Sequence, residues 1–188
     1  ALLYAALSCQ LQGDAQGTLA LAEECHAVAS EHWLRLFIEW SGLLRAWALA
    51  RLGQPAKGLE QMREWLGRWR TTGMRAGMPH NLAMLAEVHL LLEQPREALL
   101  ALQEGMRWVE AVGERSYEAE LHRIQAEARR ALGDEAGAHA SLLEAVRIAR
   151  AQGAGEFERR ALRALEPSAA PGLGAGVRVR AVMDNERQ

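Results

Sequence analysis

The residues best suited to chemistry are few, and they do not form a recognisable catalytic set. Glu118 and His122 stand four positions apart, on one face of any helix, but a metal site needs more ligands than this pair. The chain has no His-Glu-x-x-His pattern, no Gly-x-Ser-x-Gly elbow and no Walker loop. The glycine-rich run over 172–176 follows no clear strand and opens no helix. We therefore predict no enzyme activity, no cofactor and no metal.

Tryptophans are the next residues of interest. Trp33, Trp40 and Trp47 are spaced by seven, so we expect them on one face of a helix. Such a stripe either packs against neighbouring helices or forms an exposed anchor for a partner. Trp65 and Trp69, four positions apart, are more typical of a helical core.

Bulk composition favours a helical, intracellular chain. The 188 residues carry 22 basic and 24 acidic side chains, a balance that gives no reason to expect a nucleic-acid or membrane-surface partner. Cys9 and Cys25 are too few for a disulfide framework, and we interpret them as core thiols in a reducing cytoplasm. Because the sequence begins inside an apolar helical pattern, we expect it to be one piece of a longer protein.

An internal repeat organises the positions of these residues. Written in rows of 40, the sequence aligns columns of small and turn-forming residues. The small-residue column reads Ala6, Ala46, Ala86 and Ala126, and a second one reads Thr18, Gly58, Ala98 and Ala138. The first turn column reads Gly13, Gly53, Glu93 and Gly133, and the second contains Gly73, Gly113 and Gly153.

The columns predict where helices end and begin. A glycine after a helix permits the left-handed conformation that terminates it. Asp14 and Asp134 follow two of these glycines and are good N-caps, while Pro55 and Pro95 fit the first helical position. The first column therefore marks a tight turn inside a helix pair, and the second marks the turn between pairs.

We predict an all-α fold of about four antiparallel helix pairs with a short capping helix. The capping helix, 155–165, should turn its apolar side inward and its charged residues, including Arg160, outward. Residues 1–166 form the repeat domain, and the prolines and glycines of 167–188 predict a flexible tail. The predicted helices are 1–12, 15–29, 31–52, 55–71, 79–92, 95–112, 116–132, 135–152 and 155–165.

The pattern resembles the tetratricopeptide repeat. Ala126, Gly133, Ala138, Leu142 and Ala145 stand at the spacings of that motif. The repeat here is 40 residues instead of about 34. The column in which the family usually has an aromatic residue on the first helix holds other residues, namely Cys9, Leu49, His89 and Arg129.

Two stretches, 113–123 and 149–154, also resemble the C-terminal repeats of bacterial multidomain regulators. Those proteins join an ATPase domain to a helical repeat array, often with a class III nucleotide cyclase or a DNA-binding domain. Nothing in this chain matches the cyclase or ATPase motifs, so the resemblance carries neither activity to it.

The resemblance implies a right-handed superhelical array in which the first helix of each pair lines a concave groove. A partner peptide or helix in that groove would contact the indoles, and arginine would clamp a carboxylate. The alternative is a solvated face held by intrahelical pairs, such as Arg123 with Glu127. Tetratricopeptide geometry places nine residues near the groove: Trp40, Trp47, Arg51, His80, Glu87, Glu120, Arg123, Glu127 and Arg130.

Two functions stay open. The first is a protein-interaction or regulatory scaffold module of a larger bacterial signalling or transcriptional regulator, whose partner is a protein, a peptide or another domain of the same polypeptide. The second is a sensor for a small ligand or peptide, with a deep pocket near Trp40, Trp47, His80 and Arg123. Direct nucleic-acid binding and membrane binding are not expected. The N-terminal repeat should also support a homodimer if its apolar surface is open, through Leu2, Leu3, Leu7 and Leu11.

Overall fold

The computed structural model describes residues 1–166 and is entirely helical over that range. The predicted tail, 167–188, and its glycine-rich run lie outside the described residues. The helices are α1 (Leu2–Gln12), α2 (Ala15–Glu31), α3 (Arg35–Arg51), α4 (Pro55–Thr71), α5 (Met78–Leu91), α6 (Pro95–Val112), α7 (Glu118–Ala131), α8 (Glu135–Gln152) and α9 (Gly155–Leu165).

The helices pack in consecutive pairs, as the repeat predicts. Each odd-numbered helix from α1 to α7 lies against the even-numbered helix that follows it, and α9 lies against α8 and α7. The backbones of the odd-numbered helices also approach one another in order, α1 with α3 and so on to α9, whereas those of the even-numbered helices in the described chain stay further apart. We call the side formed by the odd-numbered helices the odd-helix layer. It is the layer that positions the candidate site.

Left-handed residues end the helices at the predicted columns, and two of them are not glycine. Gly13, Gly53 and Gly133 have positive φ, and Glu93 takes the same conformation with φ 56° in the row that lacks a glycine. Trp33, with φ 55°, does so in the first row of the second column. The repeat therefore fixes the backbone conformation at these positions even where the residue type disfavours it.

The helix starts predicted from the N-cap aspartates and the prolines are also confirmed. The side chains of Asp14 and Asp134 accept the backbone N–H groups of Gly17 and Gly137 at 2.9 and 2.8 Å. Pro55 and Pro95 are the first residues of α4 and α6. Each device satisfies or removes a backbone N–H that has no acceptor inside the helix.

The prediction that α3 starts at residue 31 is wrong, and it misplaces one tryptophan. The left-handed turn at Trp33 delays the helix to Arg35, so Trp33 is not on the face of Trp40 and Trp47. Its side chain is 88% exposed, whereas Trp47 is 2% exposed. A spacing of seven places two residues on one helix face only when both belong to the same continuous helix.

Small residues let paired helices approach closely. Ala46, Ala86, Ala98 and Ala126 are fully buried. A Cβ atom on Gly58 of α4 would lie 2.6 Å from the Cβ of Ala50 in α3, closer than atoms can pack. The small residues that recur every 40 positions therefore lie where two helix backbones are in close contact.

No helix within residues 1–166 combines the length and apolar character that a membrane span requires.

Candidate functional site

Arg123 of α7 is the centre of a buried set of ion pairs in the odd-helix layer. Its side chain is 7% exposed, and its Nε donates to Glu120 at 2.9 Å. Nη2 donates to Glu87 of α5 at 3.2 Å, and Nη1 donates to Glu127 one turn along α7. Guanidinium serves several carboxylates because its N–H groups point in different directions. We call Glu87, Glu120, Arg123, Glu127 and Arg160 the arginine network.

Two further helices bring side chains to this network. Arg160 of α9 lies 3.0 Å from Glu120 and 3.9 Å from Glu87. Trp47 of α3 donates from its indole Nε1 to Glu87 at 2.7 Å. Side chains of α3, α5, α7 and α9 therefore share one set of polar contacts.

Glu120 is the most deeply buried carboxylate of the network. It is 2% exposed, and burial raises the pKa of its carboxyl even though Arg123 and Arg160 favour the ionised form. An ion removed from water costs several kcal/mol, so these charges are tolerable only because they are paired. Two arginines and three glutamates leave the network with one negative charge in excess.

A second polar contact joins α1 to the rest of the layer. The Gln10 Oε1 atom, 3.2 Å from His80 Nε2, also accepts the Tyr117 hydroxyl at 3.3 Å. This arrangement requires a proton on His80 Nε2, which donates to the Gln10 oxygen. Burial lowers the pKa of His80 to about 3, which keeps the ring neutral at physiological pH. Arg160 also lies near α1, with Nη1 3.4 Å from the carbonyl oxygen of Leu11.

A polar cavity of about 260 Å³ opens at the C-terminal ends of α3 and α5. We call it the rim pocket, and its lining contains four members of the arginine network and three other residues: Glu87, Arg123, Glu127, Arg160, Arg51, Leu90 and Leu91. Arg51 is exposed and has no carboxylate within 4.0 Å among residues 1–166. Its guanidinium lies 5.9 Å from the centre of the Trp47 ring. The rim pocket therefore offers one unpaired cation beside two leucines and the half-exposed carboxylate of Glu127.

A second cavity of about 350 Å³ lies nearer the start of the odd-numbered helices. Most of its exposed lining is apolar, and we call it the apolar pocket. The lining includes Tyr4, Leu7, Leu11, Trp40, His80 and Tyr117.

The nine residues of the predicted groove divide between these places. Most of them cluster around Arg123, and Arg51 stands at the mouth of the rim pocket. Trp40 and His80 line the apolar pocket, so the four residues expected around one deep pocket do not share one. Arg130 points elsewhere, to the Ala164 carbonyl oxygen at 2.8 Å.

Sequence reasoning missed three contributors to the site. Arg160 is predicted on the solvent side of α9 but points into the layer, because it pairs there with the carboxylates of Glu120 and Glu87. Gln10 and Tyr117 carried no motif at all. A usable signal did exist for Gln10: it is a polar residue on the buried face of α1, where Leu3 and Ala6 precede it.

The pair considered for metal binding has other partners. Glu118 accepts from Arg115 at 2.7 Å. Burial lowers the pKa of His122, while nearby Glu144 and Glu118 raise it in part. No group of three or more metal-ligating side chains comes together within residues 1–166.

No protein-family model matches the chain, and the search of curated proteins gives no significant match.

Proposed function

We propose that this chain is an interaction module of the tetratricopeptide type, a right-handed superhelical array that holds a partner protein, a peptide or another domain of its own polypeptide. The resemblance of its repeats to those of bacterial signalling and transcriptional regulators supports a regulatory setting. The helix pairs and the layer of odd-numbered helices agree with such an array.

The observation that carries the proposal is the rim pocket. Its walls come from four helices, and most of its charges are already paired, so little rearrangement is needed when a partner arrives. Such preorganisation lowers the entropic cost of binding. Arg51 and Glu127 remain available to a carboxylate and to a basic group, and Leu90 and Leu91 supply apolar contact. A polypeptide segment presents all three kinds of group.

The test compares two matched double variants by affinity capture from a native lysate. Arg51→Glu with Leu91→Asp alters the rim pocket. Arg96→Glu with Leu100→Asp changes the same residue types at exposed positions of α6, outside the odd-helix layer. Substitutions at Trp47 or Arg123 are unsuitable, because both side chains are buried and their loss would disturb the fold.

The proposal predicts a protein that is captured by the parent chain and by the α6 variant but not by the rim variant. Equal capture by all three chains would mean that the contact lies elsewhere. Capture that fails only in the α6 variant would assign binding to the outer helices and contradict the proposal.

The apolar pocket favours a second function, a sensor for a small ligand. Its size and apolar lining, with His80 and Tyr117 as the polar groups that could orient a molecule, are typical of small-molecule sites. A compound screen by thermal unfolding tests this. Leu7→Trp fills the pocket and should abolish any ligand-induced rise in melting temperature, whereas Arg51→Glu should leave that rise unchanged. A rise that survives Leu7→Trp would exclude the pocket as the site.

A further inference from the structure

A groove on another part of the molecule, between α4 and α6, has no role in the odd-helix layer. Trp108 of α6 is half-buried at its centre, packed against the core cluster that α1 to α5 form. Two cavities of about 350 and 310 Å³ lie beside this indole, and both include Arg75 in their lining. The two cavities adjoin the same two side chains, Arg75 and Trp108, and we call them together the Trp108 groove.

The charges of the Trp108 groove are mostly positive. Arg70, Arg75 and Arg107 line it, against a single carboxylate, Glu104. Glu104 is already paired with Arg70 at 2.8 Å. Within residues 1–166, Arg75 and Arg107 have no carboxylate within 4.0 Å. Glu110, one turn beyond Arg107, pairs instead with Arg115 at 3.2 Å.

Arg75 lies beside the groove in the short segment that connects α4 and α5. This segment spans 72–77, and the guanidinium of Arg75 lies 5.8 Å from the centre of the Trp108 ring. The backbone N–H of Met74 donates to the Thr72 hydroxyl at 3.0 Å, and that of Gly77 donates to Glu114 at 2.8 Å. These two contacts hold the backbone of the segment on either side of Arg75.

We propose that the Trp108 groove binds an acidic peptide segment of a partner protein, with an apolar side chain against the indole and carboxylates on Arg75 and Arg107. Arginine pairs with carboxylates in a bidentate manner, and a half-exposed indole gives a large contact area at small entropic cost. Charge complementarity favours an acidic occupant, because the groove carries two positive charges in excess within a chain whose net charge is −2.

A nucleic acid is the less suitable occupant. Binding to a phosphate backbone draws its free energy from the neutralisation of several phosphates by basic residues. Two arginines without a carboxylate partner, beside a paired glutamate, are a small number for that purpose. The proposal does not depend on the rim pocket, so either site can fail without the other.

Selection from a displayed library of random peptides on the whole chain tests the proposal. The groove variant is Arg75→Glu with Arg107→Glu, and its control is Lys57→Glu with Arg96→Glu. The control changes the same charge at exposed positions near the other ends of α4 and α6. All four side chains are exposed, so we expect both variants to keep the parent's circular dichroism spectrum.

Peptides enriched on the parent should combine Asp or Glu with Phe, Trp or Leu. A synthetic peptide of the enriched sequence should bind the control as well as the parent, and the groove variant about tenfold or more weakly. Trp108→Ala should weaken it without a change in charge. Enrichment without acidic residues, equal binding to the groove variant, or loss of binding only in the rim variant would overturn the proposal. So would a labelled single-stranded oligonucleotide that binds the groove more tightly than the peptide.

Discussion

At the scale of single residues, Arg123 has the largest energetic role that the contacts indicate. It is buried beside three glutamates on two helices, and within residues 1–166 the one other cation that pairs with Glu120 is Arg160, at 3.0 Å. A buried pair adds little stability compared with an apolar pair, but the removal of one partner leaves a buried charge without compensation. Loss of this arginine should therefore destabilise the fold far more than loss of an exposed one.

Arg123→Ala should lower the free energy of unfolding by about 3–5 kcal/mol, since it leaves Glu120 and Glu87 ionised and underpaired. Urea unfolding followed by circular dichroism measures the change. Arg147→Ala is the control, because Arg147 forms an exposed pair with Glu144 and its loss should have little effect. If the two variants lose similar stability, the arginine network is not the buried, mutually dependent set described here.

His80 gives the second residue-scale prediction. Its pKa in the folded chain, about 3, lies below the ordinary 6.5, so the unfolded chain binds the proton more readily. The neutral ring's contribution is therefore complete above pH 6.5 and is lost as the pH falls towards 3. The raised pKa of Glu120 acts in the opposite direction, because its protonation favours the folded chain at low pH.

A comparison of the parent with His80→Gln isolates the histidine. Glutamine can still donate to Gln10 Oε1 but does not titrate. The stability difference between parent and variant should change by at most about 1.4 kcal/mol per pH unit as the pH falls below 6.5. Urea unfolding at several pH values measures it. Parallel pH profiles for the two chains would show that His80 is not held neutral by burial.

At the scale of the helix, contact between backbones matters more than helix propensity. Gly58 and Gly67 both lie within α4, and alanine favours a helix over glycine by about 1 kcal/mol at either position. Their surroundings differ. A Cβ atom at Gly58 would meet Ala50 at 2.6 Å and the Ala46 carbonyl oxygen at 2.7 Å, whereas nothing lies within 4 Å of one at Gly67.

Gly58→Ala should therefore lower the melting temperature, since overpacking of about 1–3 kcal/mol exceeds the gain in propensity. Gly67→Ala should raise the stability by about 0.5–1 kcal/mol. Thermal unfolding of the two variants beside the parent tests both signs at once. A rise in both melting temperatures would show that α3 and α4 are not in close contact at Gly58.

The elements also show what the sequence could and could not predict. A period of 40 located the helix pairs, because each tight turn and close contact needs a particular kind of residue. It did not locate the start of α3, since Trp33 takes a left-handed conformation that favours glycine. The same column holds glycine in the three later rows of 40, so the repeat did indicate a turn at Trp33 even though tryptophan is not a turn-forming residue.

The site was harder to predict, because it depends on distances between helices far apart in the chain. A repeat places Trp47, Glu87 and Arg123 on equivalent helices, but it does not show that they touch. Gln10 meets Tyr117 across 107 positions of sequence, and no local pattern contains that information. Whether a charged side chain is solvated or buried follows from the partners opposite it, as Arg160 illustrates.

At the scale of the whole molecule, two kinds of surface are separated. The odd-helix layer carries the arginine network and both pockets beside it, and the Trp108 groove lies between α4 and α6. Near the start of the chain, Leu3 is buried and Leu2 and Leu7 pack on the core, while Trp33, Leu34 and Phe37 are exposed. Self-association through the N-terminal repeat stays a prediction.

The central claim is that partners bind at the rim pocket, and site-specific photo-crosslinking tests it most directly. A photoreactive amino acid replaces Leu91, which lines the rim pocket, or in a separate chain Leu100, which is exposed on α6. After irradiation in native lysate, the account predicts a discrete cross-linked partner from position 91 and none from position 100. A partner cross-linked from position 100 alone, or equally from both, would contradict it.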